Sequence, residues 1–97
     1  VMSGEIKRHE RAYEIASKIT KELELDGNMC FDFIIDDDAA YLLEVNPRIN
    51  ATLPFVQKAG ANLAYLRCLQ LLGHSIIPPK IKYGIKMKKY YESEYFF

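Results

Sequence analysis

Asp32 and Glu44 sit inside the two apolar, strand-patterned segments of FDFIIDDDAAYLLEVNPR, residues 31–48, and Asn46-Pro47-Arg48 closes that stretch. Side chains directly opposite on antiparallel strands have Cβ atoms about 4.5–5.5 Å apart, and like charges there are destabilising. Two arrangements relieve such a pair: a raised pKa on one partner, as in acid–base dyads, or a hard cation bound between them. Asn46 favours the cation, because it follows Glu44 on the same face, about 7 Å along the strand, and offers a neutral amide oxygen. Oxygen donors without His or Cys suit magnesium rather than zinc, and magnesium takes phosphate oxygens, such as those of a nucleotide, as further ligands. Arg48, just beyond rigid Pro47, has the planar fork that pairs bidentately with a phosphate or carboxylate. The commoner meaning of alternating acidic residues is a solvated strand face, and the pattern by itself leaves both readings standing. Asp36, Asp37 and Asp38 read as a solvated turn rather than as ligands.

The elements that must position these groups follow from periodicity. From Glu5 to Leu25, Ala12, Ile15, Ala16, Ile19 and Leu23 recur at three- and four-residue steps among charged residues, which predicts an amphipathic helix with Ser3 as N-cap and Gly27 at its end. Met29–Ile35 and Tyr41–Asn46 read as antiparallel strands joined by the polar break at Asp36–Ala39. A loop centred on Asp38 pairs Asp32 with Glu44. Strict alternation then places Phe31, Phe33, Ile35, Tyr41, Leu43 and Val45 on one face, and Asp32, Ile34, Leu42, Glu44 and Asn46 on the other. Pro54–Lys58 reads as a helical turn closed by Gly60, Asn62 as the N-cap of a second amphipathic helix, and Gly73 as its stop. Lys80–Lys88 alternates lysine with apolar residues, as an edge strand does. The expected fold class is therefore α+β, an antiparallel sheet with helices packed on one face, in a single domain covering 1–97.

The chain has 97 residues, 49% hydrophobic and 27% charged, with thirteen basic side chains balancing thirteen acidic ones. No global field draws it to nucleic acid or to an anionic membrane, so neither is an expected partner. No apolar run reaches the ~18–20 residues that span a bilayer. Cys30 and Cys68 match neither a metal-ligand spacing nor a disulfide framework and read as buried, reduced thiols of a cytoplasmic protein. His9 reads as solvent-facing, His74 as a helix-end residue and Lys58 as a surface lysine. Asn50 and Thr52 read as loop-capping residues before substrate contacts. The aromatic tail KKYYESEYFF reads as packing against the sheet or a partner. Val1 ahead of Met2 hints at a fragment.

At Asp32, at Glu44-Val45-Asn46-Pro47-Arg48 and at Ala59-Gly60-Ala61-Asn62-Leu63 the chain resembles the ATP-grasp superfamily, in particular ligases like the carbamoyl-phosphate synthase large subunit. The resemblance runs from about Glu5 to Glu92. It implies that Asp32, Glu44 and Asn46 hold Mg2+, with Mn2+ as a substitute, bridging the phosphates of ATP. It also implies that Arg48 contacts the transferring phosphoryl group or an acyl phosphate, acting as a catalytic and nucleotide-binding residue. The implied reaction activates a small carboxylate for attack by an amine or similar nucleophile. The family's phosphate-binding lysines, glycine-rich flap and adenine-recognising hinge are not visible. The expectation is thus the C-terminal part of the ATP-grasp fold, inactive by itself, with an apolar face where the other lobe would dock and through which a homo-oligomer could form. The alternative is a non-catalytic metal- or nucleotide-binding or oligomerisation module.

Overall fold

The helix expected over 5–25 is shorter in the computed structural model, which describes residues 2–89. Strand β1 (Met2–Glu5) comes first and helix α1 covers Glu10–Glu22. Ser3 therefore lies in a strand, and the N-cap is His9, with φ −124° and ψ 111°. Its Nδ1 accepts the Ala12 N–H at 3.2 Å, satisfying one of the free donors of the first turn. With Nδ1 accepting, the neutral ring carries its proton on Nε2, 2.8 Å from the Asp37 carbonyl oxygen. His9 is thus a half-buried cap that ties α1 to the following hairpin, not a solvent-facing residue. The helix ends earlier than Gly27. Glu24 takes the left-handed position at φ 51°, and the Leu25 N–H reaches back to the Thr20 carbonyl at 3.0 Å.

Strands β2 (Cys30–Asp36) and β3 (Ala39–Asn46) form an antiparallel hairpin. The turn is two residues, Asp37-Asp38, with Asp37 at φ 53°, a conformation Asp tolerates better than most side chains. This pairs Asp36 with Ala39, Ile34 with Tyr41 and Phe33 with Leu42; between Phe33 and Asp32 the register shifts, leaving Leu43 as a bulge. The strict alternation read from sequence fails at that point. Leu42 shares a face with Phe33, and Tyr41 with Ile34, because the bulge absorbs the one-residue mismatch between the tight turn and the base of the hairpin. α1 packs against β3, with Ala12, Ile15, Ala16 and Ile19 half-buried.

Helix α2 (Leu53–Lys58) is followed by helix α3 (Leu63–Leu71), where Asn62 Oδ1 caps the Tyr65 N–H at 3.2 Å. Gly73, at φ 87°, stops α3, and the His74 N–H bonds to the Leu69 carbonyl at 2.9 Å, as a helix-end residue does. Arg67 of α3 pairs with Asp26 at 3.1 Å, anchoring the helix to the turn before β2. The strand expected over 80–88 shrinks to β4 (Lys86–Lys89), which pairs antiparallel with β1, so there are two two-stranded sheets among the described residues rather than one. Tyr83-Gly84 is a turn, with Gly84 at φ 88°. The aromatic tail from residue 90 lies outside the described residues.

Ala59 and Ala61 are the buried apolar residues among those described. Between them Gly60 adopts φ 122°, and a Cβ there would lie 2.5 Å from the Lys80 carbonyl oxygen. The Lys82 N–H donates to the Ala59 carbonyl at 2.8 Å. Ala59-Gly60-Ala61 is therefore the place where the backbone of 80–82 crosses the end of α2, and small residues are what permit the approach. Of the cysteines, Cys30 is half-buried and Cys68 exposed, contrary to the expectation of two buried thiols; both are free. No described helix is long and apolar enough to cross a membrane.

Candidate functional site

At the base of the hairpin, Asp32 is paired directly with Glu44, and the next pair on the same face is Cys30 with Asn46. Because the bulge lies on the tip side of Asp32, the four residues keep one continuous face despite the shifted register beyond them. Asn46 Nδ2 donates to Glu44 Oε1 at 2.9 Å. Cys30 Sγ lies 3.5 Å from Asp32 Oδ1 and 3.2 Å from Asn50 Nδ2. The ion pairs among the described residues, Arg8–Glu10, Arg11–Glu14 and Arg67–Asp26, leave both Asp32 and Glu44 aside. Two facing carboxylates thus have hydrogen-bond donors from a thiol and an amide but no countercharge from those pairs.

Pro47 ends β3 for lack of an N–H, and the Arg48 N–H bonds back to the Asn46 carbonyl at 2.8 Å across it, a three-residue turn whose centre suits the fixed φ of proline. The turn sends Arg48 out of the sheet line. Its guanidinium is exposed and donates to the neighbouring Ile49 carbonyl at 3.4 Å. The structure therefore brings together Asp32, Glu44 and Asn46, and does not bring Arg48 into an ion pair with them.

Asn50 accepts the Thr52 N–H at 2.9 Å through Oδ1, the loop-capping arrangement expected for it. Its second contact, to Cys30, was not legible in the sequence. The alternation that puts Cys30 on the face of Asp32 was available; the return of the loop onto that face was not. Thr52 also lines a groove of about 320 Å³ with Ala51, Pro54, Phe55, Met87 and Lys88, beside the arginine loop. Asp36, Asp37 and Asp38 are exposed at the hairpin turn, and Lys58 is exposed in the last turn of α2.

Among the described residues no group of three or more His, Cys, Asp or Glu is placed to hold a metal by itself. Asp32 and Glu44 with the amide of Asn46 supply few, all-oxygen donors. That chemistry fits magnesium, which binds through one or two carboxylates and completes its shell with water and phosphate oxygens, and it does not fit zinc.

The profile of the family described as "ATP-grasp in the biosynthetic pathway with Ter operon" matches residues 2–93. The chain is 38% identical over 77 residues to the carbamoyl phosphate synthase arginine-specific large chain of Geobacillus stearothermophilus, covering 78% of this chain and 7% of that protein. It is 38% identical over 76 residues to the carbamoyl phosphate synthase large chain of Vibrio cholerae, covering 77% and 7%. With that of Pyrococcus furiosus the identity is 35% over 83 residues, covering 84% and 7%. The chain thus spans about 7% of the length of these relatives. No solved structure matches it.

Proposed function

The chain belongs to the ATP-grasp family, and from that premise we propose that it carries the phosphate end of the nucleotide site of an ATP-dependent carboxylate ligase. The observation that carries the reading is the direct pairing of Asp32 with Glu44, extended on the same face by Asn46. In this reading Asp32, Glu44 and Asn46 would hold magnesium with ATP, and the ion when bound offsets charge on the phosphates. The γ-phosphoryl group passes from the bridging oxygen of ATP to a carboxylate oxygen, giving ADP and an acyl phosphate. An amine then attacks the acyl carbon, phosphate leaves and the nitrogen loses its proton.

Glu44 and Asp32 bind, Asn46 orients Glu44 through its 2.9 Å hydrogen bond, and Arg48 supplies the exposed cation that meets the transferring group. Its present contact with Ile49 is a weak, solvent-exposed hydrogen bond, so swinging to a phosphate costs little. In the same reading the adenine-binding part of the site belongs to residues outside this chain, and the chain by itself turns over no carboxylate.

Calorimetry with ATP in the presence and absence of Mg2+ tests the reading. Magnesium-dependent binding by the wild type, abolished in Glu44→Gln, is the expected result. Binding that ignores both magnesium and the substitution favours a non-catalytic module instead, and no binding at all leaves a scaffold or an incomplete half-site.

A further inference from the structure

We propose that Asn50 and Cys30 are positioning residues that clamp Asp32 to the arginine loop, a role that rests on the ligase reading of the same site. Three hydrogen bonds run in one direction. The Thr52 N–H donates to Asn50 Oδ1 at 2.9 Å, Asn50 Nδ2 donates to Cys30 Sγ at 3.2 Å, and the Cys30 thiol donates to Asp32 Oδ1 at 3.5 Å. The order is self-consistent. With its oxygen engaged by a backbone N–H, the Asn50 amide has only its nitrogen to offer the thiol, and the thiol, accepting there, has its single proton left for the carboxylate.

The chain of contacts links two parts of the site that the backbone alone keeps separate. Asp32 is on β2, whereas Arg48 belongs to the irregular segment after β3, and its own side chain bonds to the Ile49 carbonyl. Asn50 is the residue through which that segment returns to β2. A thiol is a weak donor and a weak acceptor, so these bonds add little to folding. Their effect is angular: the Asp32 oxygen that meets the thiol is held, which sets the direction of the other. Partners of this kind behind a metal-binding side chain are worth roughly 10- to 100-fold in metal affinity.

The test uses the full chain with Mn2+ and ATP as probe, read by the relaxation of water protons. Asn50→Ala and Cys30→Ala weaken Mn2+-dependent ATP binding on the order of tenfold. Cys30→Ser, whose hydroxyl donates and accepts in the same order, restores affinity close to the wild type. Without metal, the side-chain amide signals of Asn50 in nitrogen–proton spectra move in Cys30→Ala and keep their position in Cys30→Ser. If Glu44→Gln abolishes binding while Asn50→Ala and Cys30→Ala bind as the wild type does, the positioning role is overturned and the ligase reading stands. An Asn50 amide indifferent to Cys30→Ala overturns the clamp whether or not metal binds. Binding untouched by Glu44→Gln overturns the ligase reading and the positioning role with it.

Discussion

The base of the hairpin and the crossing at Gly60 both lie in the stretches that carry the family resemblance, yet they are built on opposite physics. At the hairpin base two acidic residues are paired directly on a partly exposed surface, and like charges so placed are destabilising. At Gly60 the backbone of 80–82 approaches so closely that a single Cβ has no room, and the flanking alanines are buried. One region sets two acidic residues against each other at the surface; the other leaves no room for a single added carbon. A motif match cannot tell these apart, but their responses to mutation are expected to have opposite signs.

The largest effect is expected at the crossing. Gly60→Val puts a branched side chain at φ 122° and against the Lys80 carbonyl, a clash with backbone that no rotamer change relieves. A loss of about 3 kcal/mol or more is expected, read as a urea midpoint well below that of the wild type. A variant that unfolds with the wild type would break the contrast by showing that 80–82 can move away.

At the hairpin base the sign reverses. Asp32→Asn removes one of the two facing charges and keeps an acceptor oxygen for Cys30, so stability in metal-free buffer rises by about 0.2–1 kcal/mol. On the proposed function, Mg2+ with ATP stabilises the wild type by binding the native state, and the same substitution is expected to remove that gain. Thermal unfolding of both proteins with and without Mg2+ and ATP measures the two effects together. A destabilised Asp32→Asn without metal would mean that the pair is not repulsive.

Two smaller tests sharpen the comparison by probing places with neither feature. His9→Ala removes the acceptor for Ala12 and the link to Asp37, and is expected to cost about 1 kcal/mol in urea unfolding, typical of a lost helix cap. The smallest effect belongs to Glu10, whose carboxyl is held below its ordinary 4.5 by hydrogen bonding to Arg8, with the Arg8 charge adding to it. A depressed carboxylate contributes stability above its unfolded pKa and loses it as pH falls through the folded value. Acid titration of Glu10→Gln should therefore show a slightly flatter loss of stability below the ordinary carboxylate range than the wild type, and an identical one near neutrality.

The Asp32–Glu44 pairing was legible because it depends on two strands close in sequence and a short polar turn between them, and the N-cap at Asn62 and the stop at Gly73 were legible for the same local reason. The faces of the hairpin were legible only at its base. Alternation assumes an unbroken ladder, and the bulge at Leu43 shifts the partners of Phe33 and Ile34 by one residue. Ser3 looked like a cap because nothing in Met2–Glu5 announces a strand; its pairing partner, Lys86–Lys89, comes from the far end of the described chain.

Side-chain order along this chain determined, by itself, the helix and hairpin segments, the facing of two carboxylates and the family to which they belong. Three things were decided only in three dimensions: the capping of α1 by His9 against Asp37, the return of Asn50 onto Cys30, and the neighbour that makes Gly60 irreplaceable. Each of these is a contact between segments whose separation in sequence carries no period. Hydrophobic spacing specifies which face of an element is apolar, but the identity of the distant backbone or side chain that meets it is settled by how the elements pack together.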